Sequence, residues 1–101
     1  MDERIKKIAD HYGLNSQLNI LQEELAELIQ AVSKYRRGDS SHIIEEIVDV
    51  EIMLDQIKYL LGLFIIVDCR HYDFIRETKI RRQLKRIDEE EACNNGEQGS
   101  N

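Results

Sequence analysis

Almost nothing in this sequence interrupts a helix before residue 92. The chain has no proline, and two of its five glycines, Gly96 and Gly99, fall within the last six residues. Proline and glycine are the usual punctuation between elements, so the apolar spacing has to be read as a few long helices joined by short turns. Ile5, Ile8 and Ala9 predict a first helix over residues 3–11, closed near Tyr12-Gly13. Asn15 or Ser16 is expected to cap a second helix running to about Arg37, with Leu18, Leu21, Leu25, Leu28, Ile29 and Val32 as its apolar stripe. The cluster Gly38-Asp39-Ser40-Ser41 reads as a turn, with Ser40 or Ser41 capping a third helix from about His42 to Leu61. That third helix is apolar on more than one side, through Ile43, Ile47, Val50, Leu54 and Ile57 and also Ile44, Val48, Ile52 and Met53. A helix of this kind is buried on more than one side, which in 101 residues points to a subunit interface. Leu63 to Val67 is either a buried connector or the start of the next element. A fourth helix follows over about Asp68 to Glu91, anchored by Phe74, Ile75, Ile80, Leu84 and Ile87. The expected architecture is an all-α, four-helix bundle over residues 1–91 that is oligomeric. Residues 92–101, with little to bury, form a flexible tail.

Two pairs of acids stand out against this pattern. Glu24 and Glu27 lie in the second helix, Glu46 and Asp49 in the third, each pair three residues apart. A spacing of three puts both side chains of a pair on one helix face, about one turn apart. Both pairs border the apolar stripes, so helices packed antiparallel across the Gly38 turn bring the two acidic edges to the margin of the core. Carboxylates partly withdrawn from water require a positive partner or a proton, and no run of lysine or arginine falls on these edges. Spacing alone is equally compatible with a solvated acidic face and with a cation site. If a cation is held, four carboxylates with no histidine or cysteine describe a hard ion, Mg²⁺ or Mn²⁺ rather than Zn²⁺. The chemistry such an ion supports is hydrolysis of a phosphoanhydride, with a carboxylate activating the attacking water.

The motif Glu24-x-x-Glu27, an 18-residue gap, then Glu46-x-x-Asp49 resembles the signature of the all-α nucleoside triphosphate pyrophosphohydrolases, the MazG-like family. Gln17 before the motif, the run Glu23 to Ala31 and the run Glu45 to Val50 add to the likeness. With Lys79 to Leu84 near its end, the short chain is similar to the single-domain MazG-like proteins of Firmicutes and their phages. The resemblance covers roughly residues 12–88. It implies Mg²⁺-dependent conversion of an NTP or dNTP to the monophosphate and pyrophosphate, by a helical homodimer or homotetramer. On that resemblance Glu24, Glu27, Glu46 and Asp49 are the metal ligands and the catalytic acids. Lys79 and Arg82 are candidates for phosphate oxygens, or else part of a solvated basic face that pairs with Glu89 to Glu91. Gln17 contacts the base or a metal-bound water, or sits at a helix junction. Within the same fold the rivals are a phosphoribosyl-ATP pyrophosphohydrolase and a dUTPase-like enzyme. Outside it, the rival is a non-catalytic helical interaction module whose acidic edges meet a basic partner. A di-iron carboxylate bundle is excluded, because the chain contains no Glu-x-x-His pair.

The remaining composition narrows the partners. With 14 basic against 20 acidic residues the net charge is −6, which offers no general attraction to nucleic acid. The longest apolar run, Leu60 to Val67, is too short to span a bilayer, and Met1-Asp2-Glu3-Arg4 does not open a signal peptide. Cys69 and Cys93 form no CxxC motif and read as reduced thiols. A cytoplasmic protein is expected, with a nucleoside triphosphate as its substrate and no membrane partner. Tyr35, Tyr59 and Tyr72 are available to stack on a base, although burial at an interface is the commoner fate of tyrosine. His11, His42 and His71 fit no metal-ligand spacing.

Overall fold

A computed structural model describes the backbone of residues 1–63 and 66–99 and the side chains of residues 1–63 and 70–95. Its elements are α1 (Glu3–Tyr12), α2 (Leu14–Arg36), α3 (Ile43–Leu60) and α4 (Ile66–Gly99), with no strand among the described residues. The chain is all-α. It divides into two compact units, Met1–Phe64 and Ile65–Asn101.

The first unit holds α1, α2 and α3. Asp2 caps α1: its carboxylate accepts from the Arg4 backbone N–H at 2.9 Å and from the Arg4 guanidinium at 2.6 Å. These bonds pull the Asp2 carboxyl down to about 2. Gly13 closes α1, its N–H donating to the Ala9 carbonyl at 2.8 Å, and opens α2, its carbonyl accepting from the Gln17 N–H at 3.1 Å. At φ 84°, ψ 169° it occupies a conformation essentially reserved for glycine. One residue therefore serves both ends, and the expected caps Asn15 and Ser16 lie inside α2 instead.

The second joint also departs from expectation. Asp39 accepts from the Ser41 N–H at 3.1 Å and from the Ser41 hydroxyl at 2.6 Å, a local turn that also holds the Asp39 carboxyl low. Ser41 is thereby used in the turn. His42, not Ser40 or Ser41, takes the N-cap position of α3, and no side-chain bond caps that helix.

In this unit α2 packs chiefly on α3, and α1 lies mainly against α3. The apolar core is small: Ala9, Ala31, Val50, Met53 and Ile57. Tyr59 ties α1 to α3 by donating to the Asp10 carboxylate at 2.9 Å. The expected stripe of α2 is not this core. Leu18, Leu25, Ile29 and Val32 are exposed, Ile29 by 68%, and on α3 Ile44 is exposed by 74%. The residues of α2 buried in the unit are Gln17 and Ala31, one position off that stripe and so turned from it by about 100°.

The second unit is α4, which starts two residues before the expected Asp68 and runs to Gly99. It continues past the expected Glu91 to Gly99, and no proline interrupts it. Part of the Leu63–Val67 connector, residues 64 and 65, lies outside the described residues, as does the Cys69 side chain. Cys93 is a free, exposed thiol. Among the described residues no helix is long and apolar enough to cross a membrane.

Candidate functional site

The buried side chains settle how the antiparallel α2 and α3 face each other. Gln17 donates from Nε2 to Oε1 of Gln56 at 2.7 Å, and both amides are buried. Counting seven residues on from Gln17 along α2 reaches Glu24, and seven back from Gln56 along α3 reaches Asp49. Three further in each direction stand Glu27 and Glu46. The acids thus occupy the same seam as the amide pair, at positions where two packed helices ordinarily place apolar residues.

At this seam Glu24, Glu46 and Asp49 each bring a carboxylate oxygen within 4.8 Å of the others. Glu24 and Glu46 are half-buried, and Asp49 is exposed. One oxygen of Glu24 and one of Glu46, both Oε2, are shielded from solvent and have no hydrogen-bond partner among the described residues. Desolvation raises the Glu24 carboxyl above its ordinary 4.5, with the charges of Glu27, Asp49 and Glu46 adding to the effect. Glu46 is raised as well, first by desolvation and then by Glu27 and Asp49. Glu27 is exposed and falls outside the set of convergent oxygens, yet it acts electrostatically on both glutamates. Of the four acids, three converge and the fourth adjoins them.

An open cavity of about 330 Å³ lies beside the cluster, lined by Glu27, Gln30, Ala31, Lys34, His42 and Glu46. Lys34 and His42 are absent from the site expected from the sequence, in which His42 fits no ligand spacing. Sequence carries one usable signal for them: they flank the Gly38 turn, which must bring the end of α2 beside the start of α3. Gln17 is placed away from solvent, in the bond to Gln56 that joins α2 to α3. Lys79 and Arg82 are exposed residues of α4, in the other unit, and are not part of the cluster built by α2 and α3. Of the tyrosines, Tyr59 is engaged with Asp10 and Tyr35 is exposed.

The donor set suits a hard divalent cation. Carboxylate oxygens are the donors that hard cations such as Mg²⁺ and Mn²⁺ prefer, and the two orphaned oxygens find no donor among the described residues. No protein family, curated protein or solved structure matches this chain.

Proposed function

We propose that the chain is a Mg²⁺-dependent nucleoside triphosphate pyrophosphohydrolase, able to use Mn²⁺, that converts an NTP or dNTP to the monophosphate and pyrophosphate. The observation that carries this reading is the convergence of Glu24, Glu46 and Asp49 at a partly desolvated helix seam, with two carboxylate oxygens left unpartnered. The resemblance of the Glu24-x-x-Glu27 and Glu46-x-x-Asp49 motifs to the MazG-like signature supports the same assignment. Glu24, Glu46 and Asp49 hold the ion, and Glu27, exposed beside them, completes the set as a further ligand or as the group that takes a proton from the attacking water. When bound, the ion supplies charge neutralisation on the polyphosphate. Lys34 lines the adjoining cavity and places a positive charge where phosphate oxygens enter, with the His42 imidazole beside it; Lys79 and Arg82 of α4 are further candidates for phosphate oxygens. The uncovered apolar residues of α2 and α3, Ile29 and Ile44 foremost, support assembly as a homodimer or homotetramer of MazG-like bundles.

The test is pyrophosphate release across the common NTPs and dNTPs with Mg²⁺ or Mn²⁺. Activity is expected in the wild type and abolished in Glu24→Gln and Asp49→Asn, both of which remain helical by circular dichroism. Release confined to phosphoribosyl-ATP or to dUTP reassigns the substrate within the same chemistry. No release from any nucleotide refutes the enzymatic reading and leaves the same exposed apolar faces as those of a helical interaction module.

A further inference from the structure

The two most buried polar side chains of the first unit are not acids. Gln17 is 5% exposed and Gln56 2%, and they meet across the seam at 2.7 Å. The Gln56 amide also donates to the Met53 sulfur at 3.5 Å, within α3. Resting on the assignment of the acids as an ion site, we propose that Gln17 and Gln56 are positioning residues: their bond locks the register of α2 on α3 that makes Glu24, Glu46 and Asp49 converge.

Three observations lead there. The amide pair and the acids share one seam, two helical turns apart, so the register that pairs the amides also sets Glu24 against Asp49. The convergent carboxylates oppose that register, since like charges with unpartnered oxygens are relieved when the helices slide or roll apart. The apolar side chains resist sliding only in part, because the one fully buried apolar residue of α2 is Ala31, while Leu14, Leu21 and Leu28 are half-buried and Leu18, Leu25, Ile29 and Val32 are exposed. A slip of one turn, about 5.4 Å, parts the two amides and strands both in a buried site, a penalty that apolar contacts do not impose. The amides are uncharged and do not neutralise the acids. They act by geometry, as a single buried polar residue sets the register of a coiled coil.

The test compares wild type with Gln17→Met/Gln56→Met, which keeps side-chain length and removes the bond. Spin labels at Ser33→Cys and Glu51→Cys, in a background with Cys69 and Cys93 changed to serine, report the register by pulsed electron resonance. Free-ion electron resonance reports Mn²⁺ affinity. The double variant is expected to melt no lower than wild type, to gain label distances displaced by about 5–10 Å (one or two turns of slip), and to bind Mn²⁺ at least tenfold more weakly. Unchanged distances and unchanged affinity in the folded double variant overturn the proposal. Gln17→Asn, which keeps an amide but draws it back by one methylene, is read the same way and decides the matter where the double variant does not fold. Displaced distances in a protein whose wild type binds no Mn²⁺ sustain the register lock and refute the ion site. Mn²⁺ binding by wild type with an identical variant does the reverse.

Discussion

Replacing Glu24 with glutamine is expected to raise the heat stability of the metal-free protein and to abolish its response to metal. The two effects have opposite signs and one cause. An oxygen of Glu24 lies within 4.8 Å of oxygens on Glu46 and Asp49. Two unit charges at that separation repel by about 0.9 kcal/mol in a water-like surrounding. Glu27 adds its charge to theirs, but the cluster opens to solvent, so salt screening trims the combined relief to about 1 kcal/mol. For a domain of this size that is a rise of about 4–8 °C in melting temperature. An ion at a hundred times its dissociation constant stabilises the wild type by about 2.7 kcal/mol. That corresponds to a rise of about 11–22 °C, which the variant loses along with a ligand. The assay is thermal unfolding by far-ultraviolet circular dichroism at neutral pH and low salt, first in chelator and then in saturating Mn²⁺. A Glu24→Gln protein that melts below wild type in chelator, or that still gains the wild-type shift in Mn²⁺, refutes the reasoning.

Other outcomes follow from the same geometry. Because the Glu24 and Glu46 carboxyls are raised above 4.5, the folded chain holds protons more tightly than the unfolded one. Their contribution to metal-free stability is fully present below 4.5 and is lost as pH rises through the folded values, so melting temperature in chelator should fall across that window. Mn²⁺ affinity should rise across the same window, because the ligands must lose their protons, and titrations at a series of pH values measure it. Asp2 runs the other way: its support of α1 is present above the ordinary 3.8 and lost only as pH falls toward about 2, which amide exchange in α1 reports. Gly13→Ala meets no atom within 4 Å, so its cost is backbone strain alone, about 1–3 kcal/mol by urea denaturation. Tyr59→Phe removes the bond to Asp10 and should quicken amide exchange throughout α1 while leaving α2 and α3 protected.

The number and kind of elements were legible because apolar spacing and the scarcity of breakers speak directly to helices. Two helix starts were not. At Gly13 a glycine-only conformation displaced Asn15 and Ser16 as caps, and at Ser41 a bond to Asp39 competed with capping α3. Periodicity groups Leu18, Leu25 and Ile29 on one face but does not say what covers that face, and in this chain α3 packs one position away, on Gln17, Glu24 and Ala31. Helical spacing put all four acids on two edges that were expected to meet, and Glu24, Glu46 and Asp49 converge with Glu27 outside their set of oxygens. The bond from Gln17 to Gln56 spans 39 residues and has no local signature. Lys34 and His42 came into view only with the path of the turn itself.

The joint at Gly13 has a consequence for how this chain tolerates change in length. With one residue both ending α1 and beginning α2, there is no slack to absorb an insertion or deletion. A single added residue would wind α2 onward by about 100° relative to α1, forcing a choice between the grip of Asp10 on Tyr59 and the pairing of α2 with α3. The turn at residues 37–42 carries no such double duty. An added residue is more cheaply absorbed there.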